Sequence, residues 1–199
     1  MIQLLGLLFF GFSVSFVGSI PPGSLNVTSI QIGLKRDYSS LFKFAFAAGF
    51  VEFFYALFAV KFQHYVLSSV TITQSFHLIT GLSLLIIGLA NILPTKTKNN
   101  KKIKGNPFLK GALISVFNPM AIPFWVMTTA YFETNNWLAL TSNTLLVVYC
   151  IGISAGTIAL LYVAGRLAGQ YQLDPKKHYL VEKIPGSILI LLGLYNFVF

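Results

Sequence analysis

The stretch Leu138–Leu167, LALTSNTLLVVYCIGISAGTIALLYVAGRL, has no charged side chain before Arg166 and is apolar on every face. A helix needs about 20 such residues to cross the hydrocarbon core of a bilayer. A membrane β-strand would instead show about ten residues of alternating polarity. The stretch therefore predicts a transmembrane α-helix.

The rest of the chain repeats this pattern. Of 199 residues, 55% are hydrophobic and 10% are charged, whereas soluble domains carry about 25% charged residues. We expect six spans in a single transmembrane domain, 1–199: 2–34, 44–60, 70–93, 108–132, 138–167 and 184–199. The first span is broken at Pro21–Gly23, and the fourth at Asn118-Pro119 and again near Pro123, since proline disrupts helices. The sequence thus predicts an all-α membrane protein.

The basic residues indicate the orientation. All of them except Lys61 fall in the linkers 34–43, 94–110 and 166–183, which six spans place on one side. Under the positive-inside rule these linkers, including the basic loop 94–107, are cytoplasmic. Both termini then face the periplasm of a multi-pass inner-membrane protein. The net charge of +9 is explained by basic linkers that face the anionic surface of a lipid bilayer. A nucleic-acid partner is not needed to explain it.

The third and sixth spans resemble each other. Gly81–Asn91, GLSLLIIGLAN, and Gly186–Asn196, GSILILLGLYN, share two glycines and an asparagine in register. The repeating unit is then three spans long, with repeat 1 at about 1–93 and repeat 2 at about 108–199. An odd number of spans inverts the second copy, a plan common among secondary transporters, whose paired broken helices mark the binding site. The alternative to an inverted repeat is that the two breaks reflect only the high frequency of proline and glycine in membrane helices.

The first break has the sequence Pro21–Asn26, PPGSLN. Proline removes backbone donors and glycine permits an unwound turn. Irregular backbone at membrane depth persists only when it is buried or lines a wet cavity. We expect Ser24 to cap the restarted helix, whose first amides suit a carboxylate, while Asn26 adds a side-chain amide. Pro22, Gly23, Ser24 and Asn26 are therefore candidate substrate-binding residues, and a kink that serves only packing is the alternative.

The second break contributes two further candidates for substrate binding, Asn118 and Pro119. Proline removes an amide, and the asparagine side chain can bond either to the freed carbonyls or to a polar ligand. A kink whose polar groups are satisfied locally is the alternative.

Glu52 is the acid nearest the middle of a span. A charge there costs several kcal/mol, so such residues face the bundle interior and mark ion or substrate paths. A protonated Glu52 is tolerable in apolar surroundings, whereas an ionised Glu52 can hold an ammonium group. This alternation makes Glu52 the candidate for proton coupling. A permanently neutral Glu52 that bonds to a neighbouring span is the alternative.

These motifs resemble the lysine-exporter (LysE/RhtB) family. That family carries a Pro-Gly-Pro-Asn break near the end of its first span, a basic linker, a glycine in its second span and an Asn-Pro pair in its fourth. The matching residues here are Pro22–Asn26, Gly33–Arg36, Gly49 and Asn118-Pro119. Ser24 replaces the second proline, and one residue is inserted before Asn26. The resemblance implies export of amino acids or similar small zwitterions, driven by the proton gradient.

Other classes fit the sequence less well. A hydrolase needs a nucleophile with a base, but His64 and His77 flank an outward loop and His178 lies in a cytoplasmic linker. A thiol-disulfide carrier needs paired cysteines, and Cys150 is alone. A divalent-cation exporter remains open, because Glu52, the asparagines and freed carbonyls could coordinate a hard cation. We expect a secondary transporter of a small molecule, not an enzyme, with no cofactor and no resident metal, and the sequence leaves a homodimer open.

Overall fold

The computed structural model describes residues 2–20, 23–67, 106–118 and 121–171, together with the isolated positions 85, 89, 187, 190 and 194. Within these ranges the chain forms six helices: α1 Ile2–Gly18, α2 Ser24–Leu34, α3 Tyr38–Leu67, α4 Pro107–Val116, α5 Ala121–Thr134 and α6 Asn143–Tyr171. Apart from the isolated positions, the third and sixth predicted spans lie outside the described residues.

The all-helical membrane architecture predicted from the sequence is confirmed where the chain is described. Two segments are long and apolar enough to cross a bilayer alone, Tyr38–Gln63 and Asn143–Gln170. The pair α4–α5, whose two helices are bent by 64° at the second break, adds a third if the two helices count as one span. α1 is a shorter apolar helix, followed by the first break and α2. Both breaks between helices therefore occur where the sequence predicted them.

The prediction of a second interruption in the fourth span, near Pro123, is wrong. α5 begins at Ala121 and runs through Pro123 to Thr134 without a break. Pro123 is the third residue of this helix, where a backbone N–H has no acceptor within the helix. A missing N–H therefore costs nothing at that position.

The long helices begin where polar residues cap them, so apolar runs alone misplace their starts. α3 starts before the predicted residue 44, because Asp37 Oδ1 accepts a hydrogen bond from the Ser40 amide at 3.0 Å. α6 starts after the predicted residue 138, where Ser142 Oγ accepts from the Leu145 amide at 3.3 Å. Side-chain oxygens at these positions satisfy amides of the first turn.

α6 packs against α1 along its first half and against α2 along its second half. Small residues allow this close approach: a Cβ added at Gly152 or Gly156 would collide with the backbone of α1. Gly33 of α2 lies directly against Gly165 in the same way. Close contacts of this kind hold membrane helices together where no hydrophobic force acts between them.

α3 packs against α4, α5 and α6. A Cβ at Gly111 of α4 would collide with the backbone of Phe44, and a Cβ at Gly49 would collide with Ile158 of α6. Gly49, Gly152 and Gly156 therefore lie at close helix contacts. The first broken span lies on α6, and the second broken span lies on α3.

The helix directions follow from these contacts. Ser115 of α4 lies beside Ala48, and Trp125 of α5 lies beside Glu52 further along α3, so α3 runs parallel to α4 and α5. α3 runs antiparallel to α6, because Leu41 meets the late residue Gly165. These are the directions of the second, fourth and fifth spans in a six-span chain.

The described basic residues of the three linkers lie together at one end of the bundle. Arg166 lies 5.3 Å from the centroid of the Tyr38 ring, and Lys110 is close enough to Lys35 for their charges to repel. Lys61 is exposed near the other end of α3. The charge separation read from the sequence is therefore a separation in space among the described residues.

Candidate functional site

The first break separates α1 from α2 at residues 19–23. α1 closes with hydrogen bonds from the amides of Ser19 and Ile20 to carbonyls of its last turn, at 2.9 and 3.1 Å. Gly23 then has an extended backbone, with φ −115° and ψ −171°, and α2 restarts at Ser24. Asn26, which is 8% exposed, reaches back across the break and donates through Nδ2 to the Ser19 carbonyl at 2.8 Å. A side-chain hydrogen bond thus links the two sides of the break.

The predicted capping role of Ser24 is wrong. Gly23 occupies the N-cap position, and Ser24 is the first residue of the helix with an exposed side chain. Among the described residues, no side chain forms the cap of α2. Because glycine has no side-chain oxygen, the positive end of α2 is left to backbone amides alone.

Polar side chains on both sides of this break attach it to α6. Before the break, Ser15 and Thr157 share a hydrogen bond of 2.9 Å between their buried hydroxyl groups. After the break, the Ser29 hydroxyl donates to the Leu161 carbonyl. Both are buried polar contacts inside an apolar bundle, so they hold the ends of α1 and α2 at defined positions on α6.

The second break separates α4 from α5 at residues 117–120. The Asn118 amide donates to the Ser115 carbonyl at 3.0 Å, which ends α4 in a tight turn. The Tyr55 hydroxyl of α3 donates to the Val116 carbonyl, one of the acceptors that a helix end leaves unsatisfied. The Ser115 hydroxyl donates to the Ala48 carbonyl at 3.4 Å. α3 thus holds this break as α6 holds the first.

Glu52 lies beside the second break, halfway along α3. It is 8% exposed, and its Oε1 accepts a hydrogen bond from Nε1 of Trp125, in α5 just after the break. A buried indole N–H requires an acceptor, and a buried carboxyl requires a donor, so the two groups satisfy each other. The prediction that Glu52 faces the bundle interior is confirmed.

The residues that flank the two breaks are in contact. The ring of Phe124, in α5, lies against Gly18, the last residue of α1. The Phe124 and Trp125 rings meet edge to face with centroids 4.9 Å apart, and Trp125 in turn bonds to Glu52. A short chain of contacts therefore connects the end of α1, the start of α5 and the buried acid of α3.

The predicted substrate-binding residues divide into two groups. Gly23, Ser24 and Asn26 lie at the first break and Asn118 lies at the second, whereas Pro22 and Pro119 lie outside the described residues. Sequence reasoning missed Trp125. Its signal was a tryptophan inside a predicted span, away from the interfaces that this residue prefers, which implies a buried partner for its N–H.

The region around Glu52 and the two breaks carries little charge. Glu52 is the acid at its centre, and the described ranges contain no group of three or more His, Cys, Asp or Glu side chains that could hold a metal ion. The first turn of α2 supplies the partial positive charge of a helix N-terminus. The arrangement combines one carboxyl group with backbone amides and one asparagine at each break.

Comparisons with known proteins identify the family. Searches of curated proteins and of solved structures return no match. The family model described as LysE type translocator matches residues 16–198, which include both breaks, Glu52 and Trp125. The resemblance seen in the break motifs is thereby confirmed, and the family consists of membrane transporters. Because this match covers most of the chain, from residue 16 to residue 198, the chain belongs to the LysE type translocator family.

Proposed function

We propose that the protein is a secondary transporter that exports amino acids or similar small zwitterions across the inner membrane in exchange for protons. The observation that carries the proposal is the position of Glu52: a buried carboxyl group beside one helix break and connected through Trp125 and Phe124 to the other. Family membership supports a translocator.

The geometry suits the two charges of a zwitterion. The substrate carboxylate binds at the start of α2, where Gly23 and Ser24 present backbone amides at the positive end of the helix dipole. The ammonium group binds the Glu52 carboxylate. Asn26 and Asn118, with the adjoining Pro22 and Pro119, shape the two breaks around the substrate.

Coupling follows from competition for one carboxylate. In a buried site, Glu52 is stable either protonated or paired with an ammonium group, because an unpaired charge there is costly. Proton binding and substrate binding therefore exclude each other. Alternation between these states as the site opens to each side exchanges an outbound substrate for an inbound proton.

The inverted repeat is part of the same proposal. Its support is the reciprocal packing, in which the first broken span lies on α6 of the second half and the second broken span lies on α3 of the first half. The separation that relates Gly81 to Gly186 also relates Glu52 of α3 to Thr157 of α6, and each of these two residues hydrogen-bonds a broken helix. Rocking of one half against the other would alternate access.

The surface and the charges support the orientation in a bilayer. Six phenylalanines at four-residue spacing form an exposed apolar row along α3: Phe42, Phe46, Phe50, Phe54, Phe58 and Phe62. We assign this row to contact with lipid. The basic end, with Lys35, Lys110 and Arg166, is assigned to the cytoplasm under the positive-inside rule, which leaves both termini in the periplasm.

The test is transport by the purified protein in proteoliposomes, with inside-out orientation selected and a pH gradient imposed. A panel of radiolabelled amino acids and divalent cations is offered to the cytoplasmic face. We expect saturable, gradient-dependent transport of one or more amino acids. Transport of a divalent cation without any amino acid would replace this proposal with the cation exporter.

A further inference from the structure

A second buried polar cluster lies further along α3 and α5, towards the end opposite the basic linkers. It consists of Gln63 on α3, Thr129 and Glu133 on α5, and Tyr149 on α6; we call it the Glu133 cluster. Gln63 Nε2 donates a hydrogen bond to Glu133 Oε2. The Tyr149 hydroxyl lies within reach of the Thr129 side chain and close enough to Glu133 to feel its charge. Three helices thus direct polar groups to one place.

Three of these side chains are incompletely satisfied. Gln63, Thr129 and Tyr149 each have an exposure of 0%. Gln63 Oε1 has no hydrogen-bond partner among the described residues, and Thr129 Oγ1 and the Tyr149 hydroxyl oxygen, which lie beside each other, form no well-aligned hydrogen bond. An unsatisfied buried polar group costs about 1–3 kcal/mol, and such groups are normally paired. These oxygens lie beside a carboxylate and have capacity left to contact a ligand.

The atoms define the chemistry of that ligand. All three of these atoms are oxygens, and Glu133 adds a carboxylate. Hydroxyl hydrogens can rotate away, so Thr129 and Tyr149 can both present lone pairs to a cation. One formal negative charge balances one positive charge, whereas a divalent ion would leave net charge in an apolar interior.

The walls of the cluster favour ion binding. Val60, Val126 and Leu146 belong to the surrounding buried apolar core, and Phe10 stacks on Tyr149 with ring centroids 6.4 Å apart. In such surroundings the attraction between a cation and a carboxylate is stronger than in water. The Glu133 cluster is therefore suited to hold an ion, which its apolar walls would shield from water.

The cluster is separate from Glu52 but lies on the same helix interface. On α5, Trp125, Thr129 and Glu133 follow at four-residue spacing and so share one helix face. Trp125 contacts Glu52 near the break, whereas Glu133 lies in the last turn of α5. Aromatic rings mark this end, where Trp137 stacks on Phe132 with centroids 5.8 Å apart, as at a membrane–water interface.

We propose that Gln63, Thr129, Glu133 and Tyr149 form a binding site for a small monovalent cation, either an alkali-metal ion or a substituted ammonium group. The site goes beyond the proposed function, because it needs neither Glu52 nor the helix breaks. It lies between Glu52 and the end of the bundle away from the basic linkers. A cation that moves along α5 between Glu52 and that end of the bundle passes this site.

The test is equilibrium binding of radioactive sodium to the purified full-length protein in nanodiscs, with choline as the inert salt. A parallel arm uses radiolabelled methylammonium. Saturable sodium binding that choline does not displace identifies an alkali-ion site, and saturable methylammonium binding alone identifies an ammonium site. Either result supports the proposal, and saturable binding of neither cation overturns it.

Matched variants locate the site. Thr129→Val removes a ligand oxygen at nearly constant volume and should weaken binding at least about tenfold, as expected for a lost contact to a charged group. Thr128→Val makes the same change at the neighbouring, half-buried threonine of α5, which lies outside the cluster, and should leave affinity unchanged. Unchanged binding in Thr129→Val, or equal loss in both variants, overturns the assignment. If Thr129→Val fails to give a monodisperse, helical protein, Tyr149→Phe and Glu133→Gln serve in its place.

Discussion

Replacement of Glu52 by glutamine separates the coupling role of this residue from its structural role. Glutamine keeps the Oε1 acceptor for the Trp125 indole N–H and nearly the same volume, so the variant should fold and insert. It cannot release a proton and carries no charge. We therefore expect export driven by a pH gradient to be lost.

The expected magnitude follows from the contact that is removed. A hydrogen bond to a charged group contributes about 1.5–3 kcal/mol, so loss of the carboxylate should weaken binding of an ammonium-bearing substrate roughly ten- to hundredfold. Exchange of substrate down its own gradient should persist at high concentration, because the amides of α2 are unchanged. Uphill accumulation should fall to the level of empty liposomes.

The assay compares two fluxes in the same proteoliposomes: substrate accumulation under an imposed pH gradient, and counterflow exchange without one. Asp37→Asn is the control, since it makes the same chemical change at an exposed acid that caps α3, and asparagine also caps helices. Accumulation by Glu52→Gln at the parental rate would refute the reasoning. Glu52 would then be a structural partner of Trp125, and coupling would reside elsewhere.

Three further predictions address topology, stability and transport. A cysteine in place of Phe199 should react with a membrane-impermeant maleimide from the periplasm, and one in place of Asn100 should not; the reverse pattern contradicts the assigned orientation. Gly33→Ala should lower stability by about 1–3 kcal/mol in thermal or denaturant unfolding, since its Cβ would overlap the α6 backbone, whereas Gly6→Ala, with open space around it, should not. Trp125→Phe should fold but transport more slowly, because the buried carboxyl loses its donor; parental transport would argue against this contact as part of the site.

Local chemistry made much of the molecule predictable. Both breaks coincide with prolines of the sequence, because a missing N–H acts on its own turn whatever surrounds it. The same local reasoning failed at Pro123, where the position within the helix decides the effect, and at Ser24, where the chain enters α2 one residue earlier, at Gly23. The inverted repeat and the roles of the break residues stay predictions.

Contacts between distant residues needed the tertiary structure. The sequence alone determined the membrane class, the spans around Leu138–Leu167 and Phe44–Val60, and the burial of Glu52, because apolar length and the cost of charge are properties of each segment. Only packing decided that Trp125 is the partner of Glu52 and that Gln63, Thr129 and Glu133 meet at one place. Such partners lie far apart in the chain, and which helix faces touch depends on where glycines let backbones approach. That information belongs to pairs of helices and is absent from either helix alone.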